Sequence, residues 1–274
     1  MSSVELDRIA AGIRDVTDDE VQHYRENGWV ALERLVDPAI IEAILERVKA
    51  RMGEDAQRTR DRRAGLKNAA VNSLWQYYEG LSDEDEFVQE FSHSRALARV
   101  AARLIGRPVH FYSDEVMCKL PAAAGGGKTP WHSDYPYHPF DRRGVNTLWF
   151  PLVDCPPEMG SMRFLSGSHD SGPWGRFVTR EDGVDTLDFF PELRDRFPIS
   201  PPLHLHVGDA TVHDRNIIHM APPNETDTPR WVYGQGYFPH DALYNGAPNR
   251  RMDGLGLEVN KPIDHPKFPL IDTD

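Results

Sequence analysis

The sequence predicts a mainly β protein, a sandwich or closed barrel, supported by a helical N-terminal third. Three observations lead there. Apolar residues recur at helical spacing only before Gly106. Beyond it, short alternating runs punctuated by proline and glycine continue to the end of the chain. No linker or internal repeat divides the 274 residues, a length that one large β domain can fill.

Residues 1–16 form a weakly patterned leader. Thr17-Asp18-Asp19-Glu20 reads as a capping box, with Val21 and Tyr24 on one helical face and Gly28 as the stop. Trp29 to Leu32 reads as a short strand. Asp37-Pro38 supplies an N-cap and a first-turn proline for a helix whose inner face is Ile40, Ile41, Ile44, Leu45, Val48 and Met52, closed by Gly53. Residues 54–69 are charged and arginine-rich without an apolar period, and read as a solvated loop. The aromatic run from Asn72 to Tyr78, with Trp75 and Gln76, reads as core or as the roof of a pocket. Two more helices are expected, one from the Ser82-Asp83-Glu84-Asp85 cap and one from Ser94 to Gly106. Strands are expected over 109–120, 145–153, 162–166, 203–207, 210–220 and 230–238. The acidic, proline-rich tail from Pro239 to Asp274 is read as a cover for the barrel or part of a dimer contact.

Charge and cysteine content exclude several functions. A formal net charge of -12 repels phosphates, so nucleic acid is not an expected partner. Cys118 and Cys155 lack paired spacing, which argues against a disulfide scaffold or a cysteine-based zinc site and fits a reducing, cytoplasmic setting. No basic start with an apolar run opens the chain, and no long apolar stretch suggests a membrane span.

The stretch that carries chemistry is Trp131-His132-Ser133-Asp134-Tyr135. In an extended strand, side chains two apart share a face, so His132 and Asp134 can grip one ion together. His219, 85 residues after Asp134, would arrive from a distant strand as the third ligand. Two imidazoles and one carboxylate on one side of a metal leave the opposite positions open, as in non-haem Fe(II) oxygenases. Downstream, Pro222-Pro223-Asn224 makes a turn and Arg230 opens the next strand, so a hairpin would aim the guanidinium into the same cavity. Guanidinium grips carboxylates in a bidentate fork, which suits one end of a dicarboxylate. Among the other histidines, His204 and His206 lack a third ligand, His213-Asp214 is expected near the site, and His169 is expected to brace the fold.

The chain resembles the phytanoyl-CoA dioxygenase family of Fe(II)/2-oxoglutarate oxygenases. The matching pieces are His132-Ser133-Asp134, Leu148-Trp149-Phe150-Pro151-Leu152, the block from Gly160 to His169, and Gly208-Asp209 through His219 to Arg230. The run from Thr17 to Val48 is similar to the family's opening helix, glycine, strand and helix. The resemblance implies a double-stranded β-helix, the cupin-like jelly roll, in a single domain over 1–274: helical support to 106, jelly-roll core over 107–238 and an extension over 239–274. It implies that His132, Asp134 and His219 hold Fe(II) and that Arg230 takes the distal carboxylate of 2-oxoglutarate. Trp149 would wall the cosubstrate pocket, and Met117 matches a cosubstrate-contacting position, sharing its strand face with Lys119. Gln76 is a candidate polar contact with cosubstrate or substrate, and Trp75, Tyr135 and His138 are candidate substrate contacts. One departure stands out: many members carry a serine two residues after the distal histidine, where this chain has Ala221.

The implied reaction consumes O2 and 2-oxoglutarate, releases succinate and CO2, and oxidises an unactivated C–H bond, by default to an alcohol. Asp134 argues against halogenation, since related halogenases carry a small residue there. The aromatic segments point to a small, largely apolar substrate of secondary metabolism, whereas the arginines of 58–63 would suit an acyl-CoA. A monomer or homodimer is expected. The competing readings are a non-catalytic jelly-roll binding protein and a cupin-type metallohydrolase; the first predicts a missing ligand, the second needs no carboxylate-binding arginine.

Overall fold

The computed structural model describes residues 9–54, 56, 58, 76–172, 174 and 185–273. Trp75, residues 59–63 and most of the expected loop over 54–69 lie outside them.

The expected helices form where capping and periodicity place them. Helix α1 (Asp18–Asn27) has the full capping box, with Thr17 accepting from the Glu20 amide and Glu20 reaching back to the Thr17 amide. Gly28 ends it at φ 77°, a left-handed conformation in which glycine lacks the usual Cβ penalty. Strand β1 (Trp29–Leu32) follows, then α2 (Pro38–Met52), capped by Asp37. Helices α3 (Glu86–Ser92) and α4 (Arg95–Ile105) start at Asp85 and Ser94, whose side chains accept first-turn amides. Ile40, Ile41, Ile44, Val48, Leu97, Val100 and Leu104 are buried in one core with the outer face of a large sheet.

That sheet has seven antiparallel strands. Its order is β1, β7 (Ala210–Asp214), β5 (Asn146–Pro151), β9 (Arg230–Pro239), β3 (Val109–Lys119) and β10 (Leu270–Ile271). Strand β2 (Gln76–Glu79) also pairs with β3, on the same edge as β10 but farther along. A smaller sheet of β4 (Thr129–His132), β8 (His219–Ala221) and β6 (Arg163–Phe164) completes the architecture. The fold is the jelly roll that the sequence implied. Alternation on β3 and β9 separates two environments: Val116, Cys118, Tyr233 and Tyr237 join the helical core, while Glu115, Met117, Arg230 and Gly234 belong to the inner face. The tail covers one end, where Tyr244, Met252, Ile263 and Phe268 pack against Tyr112, Phe140 and Phe238.

Three local expectations need correction. The strand expected over 210–220 is two strands in different sheets. Asp214 accepts the Asn216 amide at 2.8 Å, and its carbonyl accepts from Ile217, so an Asx turn redirects the chain before His219. The strand expected over 203–207 is reduced to one bridge between Leu205 and Cys155, after two prolines that cannot donate to a ladder. His219 and Arg230 do not share a hairpin: β8 belongs to the small sheet and β9 to the large one, so they line one cavity from different sheets.

Candidate active site

His132 closes β4 beside His219 on β8, with which it is in register. Asp134 is off the strand, with a helical backbone (φ −80°, ψ −7°), so it approaches the histidines from a turn instead of by strand alternation. The geometry nevertheless brings the expected trio together. One ligand atom from each of His132, Asp134 and His219 lies within 4.8 Å of the others. Asp134 Oδ1 is 3.7 Å from His132 Nε2 and 3.9 Å from His219 Nε2. Those gaps are slightly wider than neighbouring ligands around one ion, which a bound metal would draw inward.

Hydrogen bonds prepare both imidazoles. His132 Nδ1 lies 2.7 Å from the Pro130 carbonyl and His219 Nδ1 lies 3.1 Å from the Ile217 carbonyl. A carbonyl only accepts, so each Nδ1 carries the proton and each Nε2 keeps its lone pair for a metal. Burial holds both histidines below the ordinary imidazole value, as neutral ligands. Burial pushes the Asp134 carboxyl up, but the surrounding imidazoles, His219 foremost, outweigh it and keep it ionised. His213 adds a contact from β7, its Nε2 lying 3.3 Å from Asp134 Oδ2. Donation there orients the carboxylate with Oδ1 towards the two ligand imidazoles. The donor set fits a divalent iron.

The trio lines a cavity of about 390 Å³ that also exposes Met117, Thr129, Trp149 and Arg230. Arg230 is 3% exposed and sits 5.4 Å from the Trp149 ring. It donates from Nη1 to the Gly160 carbonyl, while its Nε has no partner. Among the described residues no carboxylate pairs with it, which leaves a buried cation suited to an anion. Lys119, wholly buried behind this wall, donates to Thr129 Oγ1 at 3.0 Å and to the carbonyls of Ala221 and Pro222. Burial and then the adjacent Arg230 push its ammonium down to about 6. Thr129 lies directly across the ladder from Ala221. Its hydroxyl accepts from Lys119 and so keeps its own proton to donate, supplying a hydroxyl next to the position where Ala221 supplies none. Sequence reasoning missed Thr129; its place three residues before His132 was the available signal.

The candidate substrate contacts separate. His138 lines the cavity, with Nδ1 buried and without a partner, and burial foremost lowers its basicity to about 3. Gln76 does not line it: on β2 the inward positions are Tyr77 and Glu79, so the alternate residue faces away. Tyr135 is 37% exposed outside the cavity, under the Arg215 guanidinium at 5.1 Å. His169 braces α1 through the Arg25 carbonyl, and the neighbouring rings of His204 and His206 lie outside the cavity.

A jelly roll that presents two neutral histidines and one carboxylate to a common point in a cavity defines the class of non-haem iron oxygenases. Comparison with known proteins gives the family. The phytanoyl-CoA dioxygenase (PhyH) model matches residues 24–232, and the chain belongs to that family. It is an iron- and 2-oxoglutarate-dependent oxygenase. Over 241 residues it is 24% identical to a methylphosphonate hydroxylase of Gimesia maris, covering 84% of this chain and 83% of the relative. It is similar in structure to the α-ketoglutarate-dependent carbocyclase SnoK from nogalamycin biosynthesis, with a TM-score of 0.77, 22% identity and coverage of 95% of this chain and 100% of that one. The epimerase SnoN in complex with Fe3+, α-ketoglutarate and nogalamycin RO is also similar, with a TM-score of 0.71, 22% identity and coverage of 99% and 100%. These structural likenesses establish the fold.

Proposed function

We propose that His132, Asp134 and His219 hold Fe(II), that Arg230 receives the distal carboxylate of 2-oxoglutarate beside Trp149, Met117 and Thr129, and that the remaining cavity positions a small substrate for oxidation at an unactivated C–H bond. The observation that carries this reading is the shared cavity: three atoms able to ligate a metal and one buried arginine, paired with no carboxylate among the described residues, line the same space. With O2, bound iron and cosubstrate would supply the oxidising power, with succinate and CO2 as the products of 2-oxoglutarate. The protein supplies position. Trp149 and Met117 exclude water from the cosubstrate wall, Arg230 and Thr129 orient the distal carboxylate, and His213 fixes the Asp134 carboxylate. The apolar walls suit the organic body of a small metabolite, and hydroxylation is the default outcome.

The proposal extends to organisation. The chain acts as a single domain, with 1–106 and 239–274 supporting the barrel, in the cytoplasm and as a monomer or homodimer. Among the described residues no helix is long and apolar enough to cross a membrane, and both cysteines are buried and outside any disulfide, compatible with a reducing compartment. Light scattering on the purified chain tests the oligomeric state. Anaerobic Fe(II) binding to wild type, Asp134→Ala and His219→Ala tests the centre. Stoichiometric binding in wild type, lost in both variants, together with O2-dependent formation of succinate from 2-oxoglutarate, is the expected result. Undiminished iron binding in both variants would place the metal elsewhere.

A further inference from the structure

We propose that Arg215 is a positioning residue for the metal centre: its guanidinium fastens the loop that carries Asp134 and His138 to the turn that delivers His219. This rests on the reading that His132, Asp134 and His219 hold the iron, and it adds a residue that lies outside the cavity lining.

Two separate turns bring the trio together. Asp134 approaches from the turn after β4, and residues 135–145 then lead to β5 through a short 3-10 turn and a loop. His138 on that loop also lines the cavity. On the other side, β7 carries His213, and the Asx turn at Asp214 redirects the chain to His219 at the start of β8. Arg215 stands in this second turn and is 2% exposed. Its backbone and its side chain both bind the first loop. The Tyr135 amide, next in sequence to Asp134, donates to the Arg215 carbonyl at 3.0 Å, and the Arg215 amide donates to the Val145 carbonyl at 2.9 Å. Between those ends the guanidinium donates to the carbonyls of His138 at 3.4 Å, Phe140 at 3.2 Å and Arg142 at 2.8 Å. It also lies 5.1 Å from the Tyr135 ring centroid.

An arginine used in this way is costly. A buried guanidinium gives up its hydration, and here its Nε is buried without a partner while the other donors go to main-chain carbonyls. What the arrangement gains is geometry. A planar fork of donors spread over alternate carbonyls holds a loop in one shape, a reach that a lysine's single ammonium lacks. The outer side of the loop is tied to the tail: Asp141 accepts the Leu243 amide at 2.7 Å and gives its own amide to the Leu243 carbonyl. Arg215 supplies the tie to the strands that carry the histidines. The Asp134 carboxylate has one hydrogen bond among the described residues, to His213, which precedes Arg215 by two residues. That bond orients the carboxylate, and the backbone held by Arg215 sets its distance from His132 and His219. Orientation and placement of the ligand thus come from the same turn.

The test compares wild type with Arg215→Met and Arg215→Lys, and with Val48→Ala, a change in the helical core outside the cavity lining that controls for lost stability. Denaturant titration ranks their stability, anaerobic Mn(II) binding is measured calorimetrically, and hydrogen exchange of the metal-free chain is followed by mass spectrometry. Groups that orient metal ligands typically carry about 10- to 100-fold in affinity. Arg215→Met is therefore expected to bind Mn(II) at least about tenfold more weakly than wild type and to exchange faster over 134–142. Arg215→Lys, the milder change, is expected to lose at least about threefold and decides alone if Arg215→Met does not fold. Val48→Ala is expected to lose stability and keep the wild-type affinity. Unchanged affinity or unchanged exchange over 134–142 in the folded Arg215 variants, or an equal loss of affinity in Val48→Ala, overturns the positioning role; so does failure of both Arg215 variants to fold, which would make Arg215 a residue of the fold alone. Asp134→Ala separates the two claims. Affinity unchanged by that substitution sinks the iron assignment and the role of Arg215 with it, whereas affinity lost with Asp134 but kept without Arg215 removes only the role of Arg215.

Discussion

Binding of 2-oxoglutarate is predicted to draw a proton from solution, and Lys119 is where it goes. With the ammonium pushed down to about 6 by burial and by Arg230, only about a tenth of Lys119 is charged at pH 7. A carboxylate delivered to Arg230 also approaches Lys119. Taken at roughly 6 Å and an effective dielectric of ~20, it favours the charged form by about 2.8 kcal/mol, or about two pH units. Lys119 is then mostly charged at pH 7, an uptake approaching about one proton per cosubstrate. The assay is calorimetric titration of 2-oxoglutarate into Mn(II)-loaded protein at pH 7, in buffers of different ionisation enthalpy; the slope of apparent enthalpy counts protons. Lys119→Met is expected to reduce uptake towards zero. No uptake in wild type, or the same uptake in Lys119→Met, would refute the reasoning. The same depression fixes a stability slope. Between about 6 and the unfolded value of 10.5, the unfolded chain binds the proton and the folded chain does not. Stability from this group therefore rises with pH across that window, by up to ~1.4 kcal/mol per unit, and denaturant titrations of Lys119→Met should lack that increment.

Other predictions address the hydroxyl and the metal. Thr129→Val keeps the shape of the strand and deletes the hydroxyl beside Ala221; losing a hydrogen bond to a charged group, about 1.5–3 kcal/mol, should raise the 2-oxoglutarate needed for half-saturation roughly 10- to 100-fold, measured by succinate formation. An unchanged requirement would remove Thr129 from the cosubstrate site. Anaerobic Mn(II) at about a hundred times its Kd should stabilise wild type by ~2.7 kcal/mol in denaturant titrations, whereas His132→Ala should gain little; equal gains would place the ion away from the three ligands.

The helical third was legible because its signals are local. Thr17, Asp37 and Ser94 cap the helices at which they stand, and the apolar period names the buried face. The convergence of His132, Asp134 and His219 was legible from a short spacing and one distant histidine, although the physical route differed: Asp134 approaches the two histidines from a turn, and His219 follows an Asx turn that splits one expected strand in two. The Asp-Arg-Asn run at 214–216 held that signal. What the sequence hid was set by pairing between distant segments. Glu79 faces Glu115 only because β2 adds to β3, and Arg251 reaches Glu79 only because the tail folds back across the barrel end. Alternation along 109–119 does place Glu115, Met117 and Lys119 on one face, yet it does not say what that face meets.

The central claim is that one cavity seats iron on His132, Asp134 and His219 and a dicarboxylate on Arg230. The most direct measurement is anaerobic reconstitution with Fe(II), followed by titration of 2-oxoglutarate into wild type and Arg230→Ala while watching for the weak visible charge-transfer band of the chelated metal. A band in wild type that requires far more 2-oxoglutarate in Arg230→Ala is the predicted result. Iron bound stoichiometrically by wild type with no band at any 2-oxoglutarate concentration would contradict the cosubstrate assignment.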